Sequence, residues 1–112
     1  MTPRLKTALW VQVQVRQCDR DLIPIVVTRK GDADAGSILL KLLRRDDRCL
    51  VLRRITTLDG ELGWMAVAGG GEIAEDEAQA YTEREMARDR DLWVIEIEDP
   101  EERYELDGPL ER

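Results

Sequence analysis

Residues 8 to 22 read ALWVQVQVRQCDRDL, and the stretch fits two templates at once. Val11, Val13 and Val15 alternate with Gln12, Gln14 and Arg16, which is strand spacing, and valine favours strands. Ala8, Val11, Val15, Cys18 and Leu22 also recur every three or four residues, the stripe of an amphipathic helix. The unbroken length and the charged end from Arg16 to Asp21 favour that helix. Pattern alone leaves the two readings level. The choice decides whether the chain opens with a helix or with one more strand.

The rest of the chain is easier to assign. Residues 22–28 form a short β-branched run with Pro24 near its start, where a missing donor is tolerated. Residues 37–43 read as a second strand, nearly continuous in apolar side chains, and 44–48 as a polar turn. Residues 49–55 give a third strand. Asp59-Gly60 is a tight-turn signal, with a fourth strand at 63–67 beyond it. Gly69-Gly70-Gly71 ends that run. From about Ile73 the chain is rich in helix formers, with acids in the first turn and Arg84 and Arg88 near the last, as the helix dipole favours. Residues 92–98 make a final strand, placing Trp93, Ile95 and Ile97 on one face and Leu92, Val94, Glu96 and Glu98 on the other. Pro100 stops it. A single domain over 1–100 is expected, followed by a charged, loosely ordered tail over 101–112 with a Gly108-Pro109 break.

Composition narrows the chemistry. The 112 residues are 43% hydrophobic and 37% charged, enough to fold without disulfides or metal staples. Phenylalanine is absent, so aliphatics and Trp10, Trp64 and Trp93 must fill the interior. Seventeen basic against 24 acidic side chains give −7, which disfavours nucleic acid and anionic membranes. The densest basic stretch, Arg44-Arg45-Asp46-Asp47-Arg48, cancels its own field. Histidine is missing altogether, which removes Ser-His and Cys-His catalytic pairs and the commonest metal ligand. Cys18 and Cys49, far apart in sequence, read as small buried hydrophobes of a reducing compartment. The opening Met1-Thr2-Pro3-Arg4-Leu5-Lys6 has no signal-peptide pattern, and no run suits a membrane span. A cytoplasmic protein is expected.

The best place to look for chemistry is Gly31-Asp32-Ala33-Asp34-Ala35-Gly36. Asp32 and Asp34 can hold a hard divalent cation, because such ions require oxygen ligands, and Asp-x-Asp pairs hold the metal in many enzymes acting on nucleotide-sugars. Glu61 or Glu72 would supply a further carboxylate, and Arg29 or Lys30 would meet an anionic substrate. An EF-hand is excluded, because its sixth and twelfth positions fall on Ser37 and Leu43. Aspartate and glycine are also what a bend between strands selects. The glycine triplet lacks the Gly-Lys-Ser/Thr ending of a phosphate loop, and Glu72, Glu75, Asp76 and Glu77 oppose an anion there. Trp10 and Trp64 are the candidate partner contacts, since exposed tryptophans anchor interfaces.

Several blocks together resemble a known family. Leu9-Trp10-Val11, Pro24 with Val26-Val27, Arg29-Lys30 before the Gly-Asp-Ala-Asp-Ala-Gly block, and Asp91-Leu92-Trp93-Val94-Ile95-Glu96 resemble short, uncharacterised, mainly alphaproteobacterial proteins grouped as a domain of unknown function. Tyr81 and Arg84 in the glutamate-rich helix fit the same likeness, which spans roughly 5–99. It implies a helix at the N-terminus, from which this chain departs in Val13 and Val15. It implies no activity, cofactor or partner.

The resulting expectation is an α+β fold in the order α-β-β-β-β-α-β, a mostly antiparallel sheet of about five strands with both helices on one face. The favoured function is a protein-binding or regulatory module with no cofactor. The alternative is a divalent-metal enzyme or ligand binder using Asp32 and Asp34.

Overall fold

The computed structural model describes residues 5–111. Residues 1–4, which carried the reading of the leader, and residue 112 of the expected tail lie outside the described residues. The ambiguous opening stretch is a helix, α1 (Thr7–Arg20), whose buried stripe is Thr7, Trp10, Val11, Gln14 and Cys18. Ala8 and Val15 are half-buried beside it, whereas Leu22 lies beyond the helix and is 84% exposed. Gln14 can sit in the stripe because its Oε1 accepts a hydrogen bond from the Tyr104 hydroxyl at 2.6 Å, which answers the cost of burying an amide.

Six strands and a second helix follow, then a final short strand. They are β1 (Ile25–Arg29), β2 (Ile38–Leu43), β3 (Arg48–Thr56), β4 (Leu62–Ala66), β5 (Ile73–Ala74), α2 (Glu75–Arg88), β6 (Trp93–Glu98) and β7 (Leu110–Glu111). The sheet runs β1-β6-β2-β3-β4-β7, with β5 pairing β3. The expected α+β class holds, but the sheet is mixed, not mostly antiparallel, and larger than five strands. β6 lies parallel to β2, with Leu40 level with Ile95 and Lys41 with Glu96. Helix α2, placed between β5 and β6, gives the chain the length a parallel return needs.

The helices also take opposite faces, not the same one. Trp10, Val11 and Cys18 of α1 pack with Ile38, Leu40, Leu52, Trp64, Trp93, Ile95 and Ile97. Ala78 of α2 packs with Leu39, Cys49, Val51, Leu92 and Val94. The reason is already in β2, whose first five residues are buried on alternating faces. Hiding a large aliphatic side chain contributes about 1.5–3 kcal/mol, so neither face of Ile38-Leu39-Leu40 can stay open. The stretch after β6 is likewise not loose in its described part. The Asp99 carboxylate, itself 3% exposed, accepts from the Arg103 and Tyr104 amides at 2.8 and 2.9 Å. Tyr104, Leu106 and Leu110 then pack on the α1-side core, and β7 adds to β4.

Candidate functional site

The Gly31–Gly36 loop is built into the backbone of three elements. Asp32 turns its Oδ2 onto its own loop, accepting from Ala35 at 2.9 Å and Asp34 at 3.2 Å, the local bond that makes aspartate a bend residue. Its carbonyl receives the Trp93 indole N–H at 2.7 Å. The carbonyls of Ala33 and Asp34 accept the first amides of α1, from Ala8 at 2.9 Å and Thr7 at 3.3 Å. They thereby satisfy donors that a helix start leaves unpaired. The Asp34 carboxylate meets Lys6 at 3.6 Å, both side chains largely exposed. Neither Glu61 nor Glu72 is brought to the pair, and no group of three potential metal ligands forms among the described residues.

Arg29 and Lys30 part company. A bulge between Val27 and Arg29 shifts the pairing with β6, so Arg29 stands opposite Val94 on the α2 face. From there its Nη1 donates to the carbonyls of Met86 and Asp89 at 3.1 and 3.0 Å. The arginine therefore closes the C-terminal end of α2, where unpaired carbonyls attract a cation. Lys30 is exposed.

The two tryptophans expected at a partner surface are inside. Trp64 is fully buried and Trp10 is 7% exposed, with ring centroids 5.6 Å apart. Both indoles donate to one carboxylate, Trp10 to Asp107 Oδ2 at 2.6 Å and Trp64 to Oδ1 at 3.2 Å. The Arg54 guanidinium grips the same carboxylate at 3.1 and 3.2 Å and lies over both rings, 4.8 Å from the Trp64 centroid. A guanidinium with few waters above two indoles gains from the ring quadrupoles as well as from the carboxylate. Sequence reasoning missed this cluster, because nothing local ties Asp107 to Trp10.

Lys41 is a second polar group the sequence hid. It is 2% exposed beneath α2, its Nζ donating to Glu96 Oε1 at 2.8 Å and Gln79 Oε1 at 3.1 Å. Arg44 ties the end of β2 to the C-terminal segment, donating to the Asp99 carbonyl and carboxylate at 2.9 and 3.1 Å. Each of these charges is spent on holding an element in place.

The thiols are equally withdrawn. Burial first, then the nearby Asp19 and Asp21 carboxylates, pushes Cys18 up from 9.0 to about 11. Burial likewise raises Cys49 to about 11, against the opposing pull of Lys41. The Tyr104 phenol is also raised, by burial and then by Asp107. A group that holds its proton more tightly when folded contributes stability below its unfolded value and loses it as pH rises through the folded one. Resistance to urea is therefore expected to fall between pH 9 and 11. At neutral pH both cysteines should react with a disulfide reagent only as the chain unfolds.

Two apolar side chains are left open close together in sequence. Leu22 is 84% exposed and Val26 56%, with only Ile23, Pro24 and Ile25 between them. Leu22 also adopts the left-handed region, φ 59°, uncommon for a leucine. Leu22 precedes β1 and Val26 lies within it, and β1 pairs with β6 on one side alone.

A family model described as a protein of unknown function, DUF1491, matches residues 5–107. The chain belongs to the DUF1491 family. Solved structures agree with that membership. A crystal structure of a DUF1491 family protein from Caulobacter crescentus is 37% identical, with a TM-score of 0.85 over 96% of this chain and 100% of the other. An NMR structure of a DUF1491 family protein from the same organism is 35% identical, with a TM-score of 0.83 over 99% and 100%. The solution structure of Atu0922 from A. tumefaciens is 28% identical, with a TM-score of 0.70 over 86% of each chain. No curated protein matches this DUF1491 chain. None of its described helices is long and apolar enough to cross a membrane.

Proposed function

We propose that this protein is a small binding module that works through a protein partner. The observation that carries the reading is the open edge of β1 with Leu22 and Val26 exposed beside it. Apolar side chains next to unpaired backbone groups are costly to leave in water and useful for holding another chain. The charged groups support the same reading, because Arg29, Arg44, Lys41 and Asp107 are committed to bonds within the fold. The absence of histidine from the sequence leaves no imidazole base for a nucleophile.

The test is affinity capture from native lysate with the folded chain as bait, compared with a Leu22→Gly variant. Glycine accepts a φ of 59° without strain, so this change removes the apolar contact and spares the fold. Retention of a defined protein by the natural chain, reduced by the variant, is the expected result. Recovery of no specific protein by the natural chain would overturn the reading.

A further inference from the structure

We propose that the β1 edge accepts an extended peptide segment in which apolar and basic residues share one face. This rests on the binding-module reading and adds the mode of contact and the chemistry of the occupant. Among the described residues, no backbone bond outside the β6 pairing engages Ile25, Val26, Val27 or Thr28. A row of unpaired amides and carbonyls therefore faces outward, and the group that fits it is another strand. The opposite end of the sheet is the two-residue β7, too short to serve as a template. Sheet edges are commonly blunted by charge or by proline within the strand. Ile25 to Thr28 carry neither, with Pro24 standing just before them. The bulge between Val27 and Arg29 bounds the regular edge, so the added strand is short.

Charge decides what kind of strand. Val26 is level with Glu96 of β6 and Ile25 with Ile97. The Glu98 amide reaches the Pro24 carbonyl at 2.9 Å, so Glu98 lies beside the start of β1. Glu98 shares its face with Glu96, because alternate residues of a strand do. Glu96 is engaged by Lys41. Glu98 is exposed and has no ion-pair partner among the described residues. An incoming strand that sets an apolar side chain against Val26 places its next same-face residue two positions along. A lysine or arginine there is level with Pro24, and its long side chain reaches across β1 toward Glu98, two strand spacings away. A second copy of the chain is the poorer occupant, since each copy brings a net charge of −7 to the same interface.

The test titrates the isotope-labelled full chain with a short peptide repeating valine-threonine-lysine-threonine, beside the same repeat carrying glutamate for lysine. The expected result is saturable amide shifts at Ile25 to Thr28 with the lysine peptide. The glutamate peptide should bind at least about threefold more weakly at low salt, the scale of an exposed ion pair. Glu98→Lys should reverse that order, and Val26→Lys should abolish the shifts at β1 while leaving the rest of the amide spectrum in place. Shifts confined to another surface, no saturation, or equal binding of the two peptides would overturn the proposal. So would a concentration-dependent dimer with β1 amides already protected, since the edge would then belong to a second copy. If lysate capture succeeds equally with the Val26→Lys variant, the edge is refuted and the binding role stands. If the natural chain captures nothing, the binding role itself fails.

Discussion

A Gly31→Ala variant is expected to unfold at a much lower urea concentration than the natural chain. A β-carbon built on Gly31 would press into the carbonyl oxygen of Asp91 and come within 2.6 Å of its carbonyl carbon and 2.7 Å of the Leu92 carbonyl carbon. These are backbone atoms, so no side chain can rotate away. The loop is also fixed from the other side, because the Asp32 amide donates to Asp91 at 3.0 Å. Overpacking normally costs about 1–3 kcal/mol when neighbours yield. Here the start of β6, the Gly31–Gly36 loop and the start of α1 must move together, so about 4 kcal/mol or more is expected. Against a total of about 5–15 kcal/mol for a domain, that is a large share of the stability. Gly71→Ala is the control, since nothing lies within 4 Å of a β-carbon there. Urea unfolding followed by circular dichroism distinguishes them; a Gly31→Ala midpoint close to the control's would disprove the close-approach argument.

Asp107→Ala is expected to cost about 2–3 kcal/mol, the effect of removing a charged acceptor from buried donors. Two indole N–H groups and the Arg54 guanidinium lose their shared partner at once. The carboxylate is 40% exposed, so water replaces part of the loss and the figure sits below that of a fully buried pair. Trp10 and Trp64 should report the change directly, through red-shifted fluorescence. Asp107→Asn should fall between, because an amide offers one acceptor oxygen and no charge. Stability and emission both unchanged in Asp107→Ala would mean the C-terminal segment is held without that carboxylate.

Much of the strand and helix order was legible because it rests on local pattern. Ile38 to Leu43 read as a strand, though its nearly continuous apolar run also demands cover on both faces, and Trp93, Ile95 and Ile97 fell on one face as their alternation required. The opening helix was ambiguous because its buried stripe contains Gln14. The partner that makes Gln14 tolerable is Tyr104, 90 residues away. The same distance in sequence hid the tryptophan cluster. Asp107 sits in a charged stretch that reads as solvent-loving, and only the folded chain brings it to Trp10, 97 positions earlier. The two aspartates of the loop looked like ligands because metal sites and tight bends choose the same residues. What separates the cases is the direction of one carboxylate, which no spacing records.

Lys41 has a consequence for how the chain avoids the wrong structure. Around it, β2 is aliphatic at every position, Ile38, Leu39, Leu40, Leu42 and Leu43, and such a ribbon could slide along its neighbours with little penalty. A slip by one residue would swing the ammonium into the layer occupied by Leu40, Trp93 and Ile95, where no carboxylate answers it. A lone cation among hydrocarbons costs several kcal/mol, and each misaligned form carries that handicap. One lysine thus acts as a locating pin, letting an otherwise featureless strand find a single seat.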